Sequence, residues 1–158
     1  SLNSGKDIVS LEGECRHITS YLQIQQVRYQ DILTYDVDIP EEIANCKIPK
    51  ITLQPLVENA LYHGIKNKRG KGRIVVTGRR EKDKCVIRVE DNGIGMTKER
   101  LNQVRGGLTT KIEDSNDFYG LYNVNERIRL KFGEGYGLSI DSVLQEGTCV
   151  EVWLPWES

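Results

Sequence analysis

No stretch of the 158-residue sequence approaches the ~20 consecutive apolar residues that a membrane-spanning helix needs, and no charged-then-apolar leader opens it. Any membrane-anchored part of the natural protein would lie outside this chain. The opening Ser-Leu-Asn, without Met, suits an excised piece of a longer protein. An excess of one charge is lacking too: 22 basic and 23 acidic side chains leave a net charge of -1, which argues against a global basic field for nucleic acid. Four cysteines, Cys15, Cys46, Cys85 and Cys149, lie far apart with no C-x-x-C pair, and His17 and His63 are the two histidines that could join them as soft metal ligands. This pattern reads as reduced thiols in a cytosolic setting. Internal repeats, low-complexity tracts and domain-separating linkers are absent as well. What remains, with 38% hydrophobic and 28% charged residues, is an ordinary globular domain.

Ser10 is placed to cap a helix over about Leu11 to Tyr29, with Glu12 and Glu14 in its positive first turn and Leu11, Ile18, Leu22 and Ile24 as apolar positions. Leu33 to Ile39 alternates strictly up to Pro40 and predicts a half-buried strand. A second helix, roughly Leu53 to Ile65, puts Leu56, Val57, Ala60, Leu61 and Gly64 on one face. At ~100° per residue, Asn59, His63 and Lys66 then share a separate polar stripe. After a basic, glycine-rich loop from Lys66 to Gly72, the runs Arg73 to Arg80 and Lys84 to Glu90 form a hairpin about Glu81-Lys82-Asp83. Leu138 to Leu144 and Thr148 to Leu154 form another about Gln145-Glu146-Gly147. Between the hairpins, Thr97 caps a short helix to about Arg105, and a longer helix carries Leu121, Val124, Ile128 and Phe132. The polar, unperiodic stretch Gly106 to Phe118 reads as a mobile loop.

Four short patterns carry the chemistry. Asp91-Asn-Gly-Ile-Gly-Met96 directly follows a strand, where a carboxylate can accept from an exocyclic amine and Gly93 and Gly95 let a ligand approach the backbone. Asn59 offers a neutral oxygen to a hard cation such as Mg²⁺, and His63 one turn on can donate to a phosphate. Gly120-Leu121 opens the later helix, whose free N–H groups and dipole favour phosphate. Gly147-Thr148 sits in the last hairpin. Each alone is as compatible with an ordinary turn, a solvated helix face or a glycine cap; their order in the chain is what points to a pocket.

In that order they resemble the histidine-kinase-type ATPase domain of the GHKL superfamily, which includes sensor kinases, gyrase-type ATPases, Hsp90 and MutL. The N box resembles Leu53-Gln-Pro-Leu-Val-Glu-Asn-Ala-Leu-Tyr-His-Gly64, the G1 box Asp91 to Met96, the G2 box Gly120-Leu-Tyr-Asn-Val124, and the last box Gly147-Thr-Cys-Val150. The N-box wording and the run Gly-Leu-x-Asn-Val-x-Glu-Arg-Ile are similar to those of YesM-like and LytS-like bacterial sensor histidine kinases. Tyr21-Leu-Gln-Ile-Gln-Gln-Val-Arg28 is similar to the linker of that group.

The resemblance implies a Bergerat-type α/β (α+β) two-layer sandwich with a mixed, mainly antiparallel sheet and helices on one face. Residues 1–50 would form a linker helix and first strand continuous with an ATP-binding core over 51–158, one domain overall. It implies ATP and Mg²⁺ as cofactors, with Asn59 on the metal and Asp91 on adenine. Gly93, Gly95 and Met96 would shape the pocket, and Thr148 would support adenine through water. His63 and Lys66 would face phosphates, and Gly120, Leu121 and Asn123 would bind them at the helix start. Glu58 occupies the place of an acid that activates water in ATP-hydrolysing members and assists transfer in kinases, although the helix turns it away from the Asn59 stripe.

Two departures stand out. Phe118 replaces the first glycine of the Gly-x-Gly-Leu found in many G2 boxes, and the phosphoacceptor string His-Phe-Leu-Tyr-Asn does not occur. The chain is therefore expected to bind ATP without phosphorylating itself in cis. The implied partners are an upstream dimerisation and phosphoacceptor region, a response regulator and a second copy in a full-length homodimer, with no nucleic acid. The implied location is the cytoplasmic side of a membrane sensor. The rival expectations are an energy-transducing GHKL ATPase, a nucleotide-binding interaction module without catalysis, and an anti-sigma type serine kinase.

Overall fold

The computed structural model describes residues 7–66, 68, 70–111 and 119–157. In chain order the elements are β1 (Ile8–Ser10), α1 (Leu11–Arg28), β2 (Leu33–Val37), a 3₁₀ turn (Glu41–Ile43), β3 (Lys47–Pro49), α2 (Leu53–Asn59) and a π-helical turn (Ala60–Ile65). There follow β4 (Gly72–Glu81), β5 (Lys84–Asp91), α3 (Lys98–Gly106), α4 (Tyr119–Phe132), β6 (Gly137–Val143) and β7 (Gly147–Pro155). Strands β2-β4-β5-β7-β6 form one sheet, parallel between β2 and β4 and antiparallel elsewhere. The expected mixed, mainly antiparallel sheet is thus observed. A second, two-stranded sheet of β1 and β3 was not legible in the sequence.

Strand parity decides what the sheet faces. Successive side chains alternate sides, so Cys85, Ile87 and Val89 of β5 point one way. They pair across β7 with Leu154, Val152 and Val150, and all six are buried. These rows meet the apolar stripes of the helices, namely Leu56, Val57 and Leu61 from the second helix and Leu121, Val124 and Ile128 of α4, in one continuous core. The opposite parity carries Arg88 beside Glu151, with Arg79 and Glu90 completing an ionic ladder on the uncovered face. Asp91 and Thr148 are the next pair along the inward rows. Parity alone therefore aims the Asp91 carboxyl at the helices rather than at solvent.

The expected caps are in place: Ser10 accepts from the Gly13 N–H at 3.1 Å, and Thr97 accepts from that of Arg100 at 3.1 Å. Within α1, Leu11, Ile18 and Leu22 are buried as anticipated, but Ile24 is 69% exposed. The first-turn Glu14, expected to serve the dipole of its own helix, is instead 3% exposed and directed at the start of α2.

The second helix does not keep its α register. After Asn59 it widens, and the Lys66 N–H reaches the Leu61 carbonyl five residues back at 2.8 Å. Residues 112–118, the greater part of the expected mobile loop and including Phe118, lie outside the described residues; Gly106 itself ends α3. Cys15, Cys46 and Cys85 are buried, Cys149 half-buried, and none is in a disulfide. Burial, reinforced by Glu14 and Glu12, pushes the Cys15 thiol up to about 12, so it is an inert core group.

Candidate functional site

A cavity of about 400 Å³ opens between the sheet end and the second helix. Asp91 and Thr148 line it from the sheet, Asn59 and His63 from the helix, and Gly95 and Met96 from the segment after β5. The sequence thus singled out six residues that the fold brings together.

Asp91 sits where the last turn of the widened helix touches the loop after β5. Its Oδ1 accepts from the Gly93 N–H at 2.8 Å. Burial raises its pKa to about 6, against the lowering effect of the Gly93 and Thr148 N–H groups and of the Lys68 charge. A carboxyl kept partly out of water on the cavity wall suits a ligand N–H donor.

The glycines explain how such close packing is possible. A Cβ on Gly64 would stand 2.6 Å from Asp91 Oδ1, and one on Gly93 would stand 2.4 Å from the Gly64 backbone. Gly95, at φ +66°, would place a Cβ 2.0 Å from the Val143 carbonyl oxygen. Gly147, at φ +130°, would meet the Asp91 carbonyl oxygen at 2.0 Å. Further bonds fix the same loop: Asn92 Oδ1 accepts from the Arg73 N–H at 2.6 Å, Lys68 Nζ donates to the Asn92 carbonyl at 2.7 Å, and the Gln145 N–H donates to the Ile94 carbonyl at 2.6 Å.

On the helix side, Asn59 Nδ2 is buried and has no hydrogen-bond partner among the described residues. An N–H donor held in that state on a cavity wall suits a ligand acceptor such as a phosphate oxygen, or a water. Mg²⁺ typically takes one or two protein oxygens and completes its octahedron with water and phosphate, so one Asn oxygen fits it. Among the described residues there is no group of three or more His, Cys, Asp or Glu that could hold a metal ion by itself.

Other expected site residues lie elsewhere. Lys66 does not line the cavity; its Nζ stands 5.6 Å from the Tyr62 ring centroid. The physical reason is the π-helical turn, in which each residue rotates by less than the ~100° assumed for the stripe. Glu58 accepts from Gln54 Nε2 at 2.8 Å, outside the cavity. Gly93 supports Asp91 from behind, and Gly120, Leu121 and Asn123 lie in the first turns of α4, also outside the lining. A Cβ on Gly120 would come within 3.6 Å of Pro55 Cβ, so that helix start abuts the start of α2. The Thr148 hydroxyl pairs with Ser142 Oγ at 2.8 Å.

Sequence reasoning missed Gly64 and Gly147 as supports of Asp91, although both stood inside the quoted motifs. It also missed Arg100, which lines the cavity from α3 and for which no motif or spacing gave a signal.

Comparison with known proteins bears on the family and the fold. The sequence profile described as "Histidine kinase-, DNA gyrase B-, and HSP90-like ATPase" matches residues 49–158. Sensor histidine kinase YesM of Bacillus subtilis is 36% identical over 156 residues, 98% of this chain and 25% of that protein. Sensor protein LytS of Staphylococcus saprophyticus is 34% identical over 150 residues, 95% and 25% respectively. The chain therefore spans about a quarter of the length of these curated relatives. Among solved structures, the catalytic domain of histidine kinase ThkA superposes with a TM-score of 0.70 at 12% identity, over 94% of this chain and 96% of that one. The histidine kinase domain from the Erythrobacter litoralis blue-light activated kinase gives 0.63 at 16% identity, over 94% and 62%. At such identities these two likenesses speak to the fold alone.

Proposed function

We propose, from the premise that this chain belongs to the family of histidine kinase-, DNA gyrase B- and HSP90-like ATPases, that it is the ATP-binding catalytic domain of a sensor histidine kinase. In the whole protein it would present the γ-phosphoryl of ATP to a histidine of an upstream dimerisation region. A response-regulator aspartate would be the next acceptor, and the parent would be a membrane-anchored homodimer with this domain on the cytoplasmic side. The observation that carries the reading is the buried Asp91 carboxyl, opposed across one cavity by the unpartnered amide of Asn59.

The residues divide the labour. Asp91 accepts from the adenine amine, a contact guanine cannot make because it carries a carbonyl at that position. Met96 and Gly95 line the base's berth, and Thr148 supports the base through water. Asn59 holds the phosphate-bound Mg²⁺, which neutralises charge on the transferring group. His63 donates to phosphate, and the start of α4 at Gly120, Leu121 and Asn123 offers it free N–H groups. Transfer then rests on positioning and electrostatics rather than on covalent chemistry by the protein. Glu58, tied to Gln54 outside the cavity, is poorly placed to activate water, which weighs against a hydrolytic module.

The test is calorimetric titration with ATP, with and without Mg²⁺, followed by a labelling assay with a supplied histidine-bearing dimerisation domain. Binding and labelling are expected. A folded sample that binds no ATP would sink the nucleotide reading, while binding with steady hydrolysis and no labelling would favour the ATPase alternative.

A further inference from the structure

The approach to α2 is gripped from two sides, by Glu14, which no quoted motif contains, and by Arg127, which lies in the Gly-Leu-x-Asn-Val-x-Glu-Arg-Ile run without an assigned role. Glu14 of α1 is 3% exposed. Its Oε1 accepts from the Ile51 N–H at 2.9 Å, and its Oε2 from the N–H groups of Thr52 and Leu53, each at 3.2 Å. Two residues on, Pro55 brings no N–H at all, so most of the donors at this helix start are either satisfied by Glu14 or absent. Ile51 is held at φ +60°, a conformation rare for a β-branched residue and one that persists only where the surroundings enforce it. Arg127 of α4 enforces it from the other side. Its Nη1 donates to the Lys50 carbonyl at 2.8 Å and its Nη2 to that of Ile51 at 2.6 Å.

We infer that Glu14 is a positioning residue for the metal and phosphate end of the site, assisted by Arg127. The inference rests on the nucleotide reading above. The segment they grip runs without a break into the helix that carries Asn59 and His63. The hydrogen bonds of Glu14 and Arg127 go to the Lys50–Leu53 segment, not to the loop or the strands that hold Asp91. Loosening the grip at the helix origin therefore shifts Asn59 relative to Asp91, while His63 is held from the other end by its neighbour Gly64 against Asp91 and Gly93, and α1 gains a direct handle on the placement of the metal and its phosphates. Glu14→Gln is the sharp probe, because a Gln of the same shape can keep the Ile51 contact or the Thr52 and Leu53 contacts, but not both.

The experiment measures adenosine and Mg·ATP affinities by calorimetry for wild type, Glu14→Gln and Arg127→Ala, with melting curves alongside. Arg127 is exposed, so its variant keeps a folded sample in the series if the Glu14 variant does not fold. Mg·ATP affinity is expected to fall about tenfold in Glu14→Gln, the size usual when a supporting contact behind a metal ligand is lost, and less in Arg127→Ala, with adenosine affinity kept within about twofold. Equal weakening of both ligands, or of neither, in the folded variants would overturn the positioning role. Wild type that binds neither ligand would overturn the nucleotide reading itself.

Discussion

At the Asp91 end the cavity is bounded by backbone: Gly64 against Gly93, Gly95 against the Val143 carbonyl and Gly147 against that of Asp91, at separations that leave no room for a side chain. At the Asn59 end the wall is a short helix that changes register partway and is held at its origin by two side chains, Glu14 and Arg127. The contrast teaches that Asp91 is fixed by strand pairing, whereas the helix is fixed where Gly64 meets Asp91 and Gly93 and depends at its origin on side-chain hydrogen bonds. A sheet that places Asp91 by register cannot move it without unzipping β5 from β7. A helix anchored by side-chain hydrogen bonds can shift by small amounts. That division is consistent with the proposed nucleotide site, in which Asp91 would read the base and the helix would carry the phosphate contacts.

The largest effect that could break the comparison is expected at Gly95. Gly95→Ala combines a left-handed backbone with a Cβ that would sit 2.0 Å from the Val143 carbonyl oxygen, a rigid atom. The expected cost is about 3 kcal/mol or more in stability, with loss of nucleotide binding, checked by urea denaturation and titration. A variant as stable as wild type would mean that the Asp91 end is not fixed by backbone contact.

Next in size is Asp91→Asn. Replacing the acceptor with a group that is half donor is expected to cut adenosine affinity about 100-fold and to remove the preference for ATP over GTP. Preserved discrimination would take the base-reading role away from Asp91.

How far these features were readable follows from their physics. Alternation foretold the strand over Leu33 to Ile39, and β-rich runs about polar turns foretold the two hairpins; the direction of Asp91 followed only from the pairing of β5 with β7. Motif order pointed to a pocket, and Asn59, Asp91 and Thr148 share one cavity, while the start of α4 lies outside its lining. The π-helical turn was not readable, because hydrogen-bond register leaves little trace in apolar spacing over six residues. Glu14 looked like a first-turn acid, since a carboxyl that serves its own helix and one that caps a neighbour have the same local sequence. The parallel pairing of β2 with β4 and the small β1-β3 sheet depend on long-range contacts that no local pattern encodes.

Asn59→Ala tests the helix end. Mg·ATP affinity is expected to drop about tenfold, while Mg-free ATP and adenosine change by no more than about twofold. Titrations with Mg²⁺ and with a chelator check this, and a drop that ignores the metal would place Asn59 on the nucleotide directly.

A comparable but graded effect is expected from pH. The Asp91 pKa of about 6 lies above the ordinary aspartate value of 3.8, so the folded protein holds that proton more tightly than the unfolded chain. This group's contribution to stability is then fully present below 3.8 and lost as pH rises through about 6. Adenosine binding runs the other way because it needs the ionised acceptor, and affinity should fall about tenfold between about pH 7 and about pH 5. A flat profile, or one unchanged in Asp91→Asn, would show that another group controls it.

The smallest effect is expected at Lys66, where the two ends of the comparison meet. An uninterrupted α-helix would have put its ammonium on the stripe of Asn59 and His63; the widened turn leaves it exposed near the Tyr62 ring, 5.6 Å from the centroid. A contact of that kind at an exposed site is worth about 0.5–1 kcal/mol. Lys66 is exposed and does not line the cavity, so physiological salt screens its pull on a phosphate there. Lys66→Ala is therefore expected to change Mg·ATP affinity less than about threefold and the melting temperature by only a few degrees, following the lost ring contact. A loss above about tenfold at low salt that fades as salt is raised would mean that the ammonium reaches the phosphates, and that the helix regains α register when nucleotide is bound.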